Sequence, residues 1–189
     1  MACPLCQDQT ASIPEPTNFT SDVKCPNCGH FQITVQARTD LNGKDAIAFD
    51  LASWVYGQTQ LGQIPRIETK DIDLIKTYPR PTTRKRAELY LGRIIQVLNG
   101  NLMRRFEPAD PRLKVASWCF SNSDAGALAE YLTELGAVKP PTQQHGWLLV
   151  AKGHEIYDEM TVGRIVSSQV FVAMSFSEAM KEAYEKRFS

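Results

Sequence analysis

The sequence lacks the hydrophobic runs and the terminal signal that would direct it into or across a membrane. Its longest uninterrupted apolar stretches are five residues, at 147–151 and 170–174, whereas a membrane-spanning helix needs about 20. The N-terminus reads Met-Ala-Cys-Pro-Leu-Cys, without the basic and apolar regions of a secretion signal. We therefore expect a cytoplasmic protein that makes no contact with a membrane.

Recognisable catalytic motifs are also lacking. There is no glycine-rich loop that would cradle a phosphate, and no serine or cysteine nucleophile motif. A length of 189 residues allows one or two domains, and 43% hydrophobic with 22% charged residues is an ordinary globular balance. These residues by themselves are therefore not expected to form an enzyme.

Neither sign of charge is in excess, since 21 Lys and Arg match 21 Asp and Glu, but the charge is unevenly distributed. Residues 76–114 carry ten basic and three acidic side chains, and the stretches 1–75 and 115–189 carry net charges of −4 and −3. A local excess of positive charge of this size attracts polyanions even when the whole molecule is neutral. The candidate contacts to nucleic acid or an anionic ligand are Arg84, Lys85, Arg86, Arg104 and Arg105.

The first three of these side chains occupy the first turn of a predicted helix. Positive charge there opposes the helix dipole and costs up to about 1 kcal/mol per residue. A functional interpretation is that Arg84, Lys85 and Arg86 contact phosphates or an acidic partner. The alternative is a solvated face, or pairing with the acidic thirds of the same chain.

Four of the five cysteines form two Cys-x-x-Cys pairs, which eighteen residues separate. This spacing is typical of a four-thiolate zinc site, because a two-residue spacer lets both sulfurs of a pair face one ion at about 2.3 Å. Four thiolates leave no coordination position for a water molecule. We therefore predict a structural Zn²⁺ ion held by Cys3, Cys6, Cys25 and Cys28.

Two other interpretations of the cysteine pairs stay open, namely two disulfides or a thioredoxin-like redox pair. Disulfides are disfavoured in a chain without an export signal, and a redox motif is expected to follow a strand and open a helix. His30, next to the second pair, is a candidate substitute ligand. Cys119 is interpreted as a buried core thiol.

The cysteine motif resembles a zinc ribbon, and the resemblance covers residues 1–36. Short strands should flank the pairs, and residues 31–35 alternate apolar and polar side chains as a strand does. Zinc ribbons occur both in nucleic-acid-binding proteins and as folding staples. The resemblance therefore implies a metal and a fold without choosing a function.

Apolar spacing predicts a helical region over residues 45–112. The first helix begins at Asp45, and Gly57 and then Gly62-Gln-Ile-Pro65 end it. A short helix spans 70–76. The third helix starts after the candidate N-caps Thr82-Thr83 and runs to about Asn99, where Gly100 is a natural stop. A short strand is predicted at 115–120, followed by a helix at 124–135 whose leucines recur at i, i+4 and i+7.

Residues 113–162 resemble a winged-helix unit. The resemblance rests on the leucine-rich helix 124–135, the Gly-Ala-Val that follows it at 136–138, and the segment Trp-Leu-Leu-Val-Ala-Lys-Gly-His-Glu-Ile-Tyr at 147–157. It implies that 124–135 is the recognition helix. That helix carries acidic side chains and no Lys or Arg, which favours a protein or a small ligand over a nucleic acid in its groove.

Residues 171–176, Phe-Val-Ala-Met-Ser-Phe, with the Ser-Glu-Ala-Met-Lys-Glu-Ala-Tyr after them, resemble the opening of a TIR-like or nucleoside 2-deoxyribosyltransferase-like domain. Only the first strand and helix of such a domain fit within residues 167–189. The resemblance implies a longer native protein with an effector that hydrolyses or transfers nucleosides or NAD. The alternative is a strand and helix that dock on the rest of the chain or pair in a homodimer.

The sequence thus predicts an α+β protein with a zinc ribbon (1–36), a helical middle (45–112), a winged-helix-like unit (113–162) and a C-terminal strand-helix stub (167–189). The leading functional hypothesis is a zinc-binding, non-enzymatic regulatory or sensing module that precedes a TIR-like effector. The runner-up is a freestanding zinc-dependent regulator that binds DNA or RNA.

Overall fold

The computed structural model describes residues 2–101, 104–141 and 146–165. Within them the prediction of an α+β protein is confirmed, with seven helices and two three-stranded sheets. The chain divides into two units, Met1–Asp158 and Glu159–Ser189, and both sheets belong to the first unit. The predicted strand-helix stub at 167–189, and the homodimer contact assigned to it, lie outside the described residues.

The N-terminal part of the structure is a β-hairpin with three helices. Its elements are β1 (Thr20–Cys25), β2 (Gly29–Thr34), α1 (Val35–Asp40), α2 (Asp45–Gln60), β3 (Arg66–Ile67) and α3 (Thr69–Thr77). β1 and β2 pair antiparallel, with Cys25 opposite Gly29, and β3 joins β2 in parallel. The Thr34 hydroxyl caps α1 by accepting a hydrogen bond from the Ala37 amide.

From Thr83 onward, the chain alternates helices with very short strands. Its elements are α4 (Thr83–Val97), β4 (Arg105–Phe106), α5 (Pro111–Ala116), α6 (Asn122–Glu134), β5 (Val138–Lys139), β6 (Trp147–Leu149) and α7 (Ala151–Ile165). The strands form an antiparallel sheet in the order β4-β6-β5. Strand β6, the latest of the three along the chain, therefore lies in the middle of the sheet.

Buried apolar side chains form two clusters. The first joins the β1-β2 hairpin to α1, α2 and α3, with Phe31, Ile33 and Leu51 fully buried. The second gathers side chains of α4, β4, α5, α6 and both later strands around Tyr90 and Leu132. Helix α5 contributes to both clusters. The predicted domain boundary between residues 112 and 113 stays a prediction, and α4, from the predicted helical middle, shares its core with α6.

The helix predictions are confirmed by α2, α3, α4 and α6, apart from the end of α2. Gly57 does not end that helix, which continues to Gln60, just before the second predicted stop at 62–65. A glycine inside a helix costs only about 0.5–1 kcal/mol. Burial of Leu51, Val55 and Tyr56 along the same helix outweighs this cost.

The predicted strand at 115–120 is wrong, because the chain is helical in α5 up to Ala116. Pro111 occupies the first turn, where its missing N–H is not needed. Asp110 caps the helix, since its carboxylate accepts a hydrogen bond from the Arg112 amide at 2.9 Å. The helix ends at Ser117, and the left-handed φ of 59° at Trp118 turns the chain away.

None of the helices in the described ranges is long and apolar enough to cross a membrane.

Candidate metal centre

The two cysteine pairs meet at one end of the β1-β2 hairpin. Cys3 and Cys6 lie in an N-terminal turn, while Cys25 ends β1 and Cys28 immediately precedes β2. The four sulfur atoms all lie within 4.8 Å of one another. Three of the cysteines are buried, and Cys6 is partly exposed. Two residue pairs that are distant in sequence are thus brought together as one set of candidate metal ligands.

The spacing of the sulfur atoms fits a tetrahedral ion. A tetrahedron with metal–sulfur bonds of about 2.3 Å has sulfur–sulfur edges of about 3.8 Å. The Sγ atoms of Cys3 and Cys28 are 3.9 Å apart, and those of Cys6 and Cys25 are 3.5 Å apart. The arrangement could therefore hold a metal ion with four protein ligands and no open position.

Crowding of the four thiols also favours a cation between them. Hydrogen bonds with Cys25 are the largest cause that raises the pKa of Cys3 and of Cys28, and burial raises both further. A hydrogen bond from Cys28 in turn lowers the pKa of Cys25. Neighbouring thiols cannot all ionise beside one another without compensation. A divalent cation would supply that charge and convert all four to thiolates.

Side chains around the cysteines hold the second pair in place. The Asn27 amide, buried within that pair, donates a hydrogen bond to Asp8 at 2.7 Å and lies 3.8 Å from the Cys6 sulfur. The Thr59 hydroxyl on α2 lies 3.4 Å from the carbonyl oxygen of Cys28. Outer contacts of this kind orient metal ligands.

Arg93 connects the metal centre to the second buried cluster. This α4 residue donates a hydrogen bond to the carbonyl oxygen of Pro26, inside the second cysteine pair, at 3.3 Å. Its guanidinium group lies 5.2 Å from the centre of the Tyr56 ring on α2, within cation–π range. The cysteine turn, α2 and α4 are therefore joined through one side chain.

The alternative interpretations of the cysteines find no support in the described residues. All five cysteines are free thiols. Neither pair opens a helix, because the second pair is followed by β2 and the first by an irregular segment. His30 lies outside the four-sulfur group and instead pairs with Asp22, whose Oδ1 is 2.8 Å from its Nε2. Cys119 is fully buried, as predicted.

The five basic side chains predicted to contact anions divide into two groups. Three have partners within the chain. Lys85 pairs with Glu88 at 2.6 Å, Arg86 donates to the Ser117 carbonyl at 3.1 Å, and Arg105 donates to the Gly146 carbonyl at 3.0 Å. These contacts favour the alternative interpretation of these three residues, in which their side chains pair within the same chain.

The other two basic side chains, Arg84 and Arg104, are exposed and make no hydrogen bond or ion pair within the described ranges. Arg84 lies in the first turn of α4, and Arg104 lies immediately before β4. No hydrogen bond or ion pair joins Arg104 or Arg105 to residues 84–86 in the described part of the chain. The predicted basic stretch is therefore not one continuous patch of free charge.

Sequence analysis missed the outer contacts of the metal centre. Asn27 carried a local signal, since it stands inside a Cys-x-x-Cys pair. Thr59 and Arg93 carried none, because each reaches the second pair from a helix at least 31 residues away in sequence.

Comparison of the chain with protein-family models, with curated proteins and with solved structures gives no match.

Proposed function

We propose that this chain is a zinc-stabilised, non-enzymatic regulatory module. The observation that carries the proposal is the closed set of four sulfur atoms, which leaves no position for substrate or water. Tetrahedral sulfur coordination favours zinc, with iron as the other common occupant. An ion at this position would hold the hairpin against α2 and, through Arg93, against α4.

The recognition part of the module, in this proposal, is winged-helix-like. Support comes from the chain order α4-β4-α5-α6-β5-β6 and from the sheet order β4-β6-β5, which is the arrangement expected of a winged helix. Helix α6 then takes the position of the recognition helix. Its exposed side chains include Asp124, Glu130 and Glu134. These carboxylates would repel phosphate, so the partner we propose is a protein or a small ligand.

The module is proposed to act on a TIR-like effector that follows it in a longer native protein, on the resemblance of residues 171–176. An antibody raised against the 189-residue chain tests this in the source cells. We expect a species much heavier than 21.2 kDa, and a species at that mass would contradict the effector. The purified chain should turn over neither NAD nor nucleosides, and measurable turnover would contradict its non-enzymatic role.

The second candidate function is nucleic-acid binding, favoured by the free side chains of Arg84 and Arg104. Each phosphate contact lowers log affinity for duplex DNA by about 0.9 per tenfold rise in salt. These two arginines are therefore expected to contribute about −1.8 to the slope. Changing both to alanine should make the slope shallower by about 1.8 in a filter-binding or anisotropy titration.

The matched control changes Lys76 and Arg80, which removes the same charge from side chains already paired with Asp73 and Asp50. This control variant should keep most of the salt dependence of its affinity for DNA. Equal flattening by both double variants would mean that net charge, and not these two side chains, sets any affinity for DNA.

A further inference from the structure

An open apolar pocket lies between α2 and α3 and takes no part in the metal centre. Its apolar and aromatic lining comes from α2, from α3 and from the residues just after α3, namely Leu51, Trp54, Leu74, Ile75, Tyr78 and Pro79. Its volume is about 390 Å³, and a cavity of about 150 Å³ with an apolar lining already holds benzene. The pocket therefore has room for an aromatic ring with a short side arm.

Part of this apolar lining faces solvent, although one wall of the pocket is already ordered. Leu74 is 61% exposed and Tyr78 is 45% exposed. The Tyr78 ring is held in place because it stacks on Trp118, with ring centres 5.8 Å apart and planes 5° from parallel. An ordered wall loses little conformational entropy when a ligand binds. A concave, ordered surface with exposed apolar side chains is typical of a ligand site.

Asp71 is the one charged side chain among the described residues that line this pocket. Its Oδ2 atom accepts a hydrogen bond from the Glu68 amide at 2.7 Å, at the start of α3. Within the described ranges its Oδ1 atom has no hydrogen-bond partner, and no Lys or Arg forms an ion pair with it. One carboxylate oxygen is therefore left to accept a hydrogen bond from a ligand.

The basic side chains on α3 and just after it do not neutralise Asp71, because each of them pairs with a different carboxylate. These pairs are Lys70 with Glu68 at 3.0 Å, Lys76 with Asp73 at 2.6 Å, and Arg80 with Asp50 at 2.6 Å. The pocket therefore combines an apolar interior with one uncompensated negative charge. This combination favours a cation that carries an apolar group, and it disfavours an anion of the same size.

We propose that the α2-α3 pocket binds a small organic ammonium ion, namely a protonated primary amine attached to an aromatic or similar apolar group. The apolar group occupies the space between the two helices, and the ammonium group donates a hydrogen bond to Oδ1 of Asp71. Trp54 and Tyr78 also line the pocket, and aromatic rings of both types attract ammonium groups. The inference depends neither on the metal centre nor on the proposed regulatory function.

Titration of the full chain with three probes of similar size tests the proposal, with backbone amide chemical shifts as the readout. The probes are phenethylamine, which is protonated at neutral pH, the neutral 2-phenylethanol and the anion phenylacetate. Phenethylamine should shift amides of residues 51–54 and 71–79 and bind about threefold to tenfold more tightly than the alcohol. Phenylacetate should bind more weakly than either. Equal affinities for amine and alcohol overturn the proposal, as do shifts confined to other segments or no binding up to about 10 mM.

Asp71→Asn removes the charge and keeps a side-chain oxygen that can accept the hydrogen bond from the Glu68 amide. This variant should bind phenethylamine no more tightly than it binds 2-phenylethanol. Asp73→Asn is the matched control, because it removes the same charge from a residue of the same helix that does not line the pocket. The control should bind phenethylamine as the wild-type chain does. Equal losses in the two variants would mean that net charge attracts the amine, and this would overturn the site.

Leu74→Lys tests the same site and leaves the N-terminal cap of α3 untouched. It places an ammonium group on an exposed side chain of the pocket, so it should weaken binding of phenethylamine more than binding of 2-phenylethanol. Leu61→Lys is the matched control, on a 72% exposed leucine that does not line the pocket, and it should bind both probes as the wild-type chain does. Equal weakening of both probes in Leu74→Lys would mean that the pocket recognises the ring alone, and this would overturn ammonium recognition.

Discussion

Replacing Cys28 with serine should abolish metal binding and unfold the N-terminal hairpin. Cys28 is fully buried and supplies one of four sulfur atoms, so the variant leaves three thiolates and a hydroxyl around the ion. Metal binding at such sites contributes on the order of 10 kcal/mol to folding. We expect one zinc per wild-type chain and none in the variant, measured by elemental analysis of reduced protein.

Cys119→Ser is the matched control for this experiment. Cys119 is equally buried but belongs to the second cluster, where it contacts Arg86 and Ser117. The control should keep its full equivalent of zinc and a folded hairpin. A strong chelator should reproduce the Cys28→Ser effect in the wild-type chain. Iron in the purified protein would refute zinc as the ion, and absence of any metal would refute the site.

Gly29→Ala is expected to be the most damaging methyl addition near the metal centre. Gly29 has a φ of 93°, where an alanine costs roughly 1–2 kcal/mol. The added methyl would also lie 2.7 and 2.8 Å from the Cγ2 and Cβ atoms of Thr59, and such overpacking costs about 1–3 kcal/mol. We expect the free energy of unfolding to fall by about 2–5 kcal/mol in urea titrations of the metal-loaded protein.

Gly57→Ala is the control, because it adds the same methyl to α2 two residues before Thr59. Apart from its chain neighbours and the backbone of α2 itself, no atom of the described residues lies within 4 Å of that methyl position, and alanine is the better helix former by about 0.5–1 kcal/mol. The control should therefore raise the free energy of unfolding. Thr59→Ala should restore part of the loss in Gly29→Ala, and two additive substitutions would show that the methyl group does not meet Thr59.

Predictions from sequence succeeded where the determining contacts are local. The spacing of the cysteines indicated which four sulfur atoms meet, because each pair forms within one turn of chain. The start of α4 was readable for the same reason, since Thr82 caps it by accepting a hydrogen bond from the Lys85 amide. The ion pair of Lys85 with Glu88, three residues on, was also within reach of sequence analysis.

The wrong prediction of a strand at 115–120 arose because two features of the sequence pointed to different structures. Asp110 and Pro111 are typical of a helix N-terminus, but the apolar run after them was interpreted as a strand. That run is apolar because α5 touches both buried clusters, with Leu113 in one and Val115 in the other. Burial on two sides removes the periodicity that distinguishes a helix from a strand.

The sequence alone determined the α+β class, the four candidate metal ligands and the uneven charge, because composition and short spacings carry this information. Only the tertiary structure decided which charges are free. Arg86 reaches the Ser117 carbonyl, 31 residues away, while Arg84, two positions earlier, meets no partner in the described part of the chain. The tertiary structure likewise joined Arg93 to the cysteine turn at Pro26. Such pairings depend on how helices pack, and packing is set by the whole core and not by any one segment.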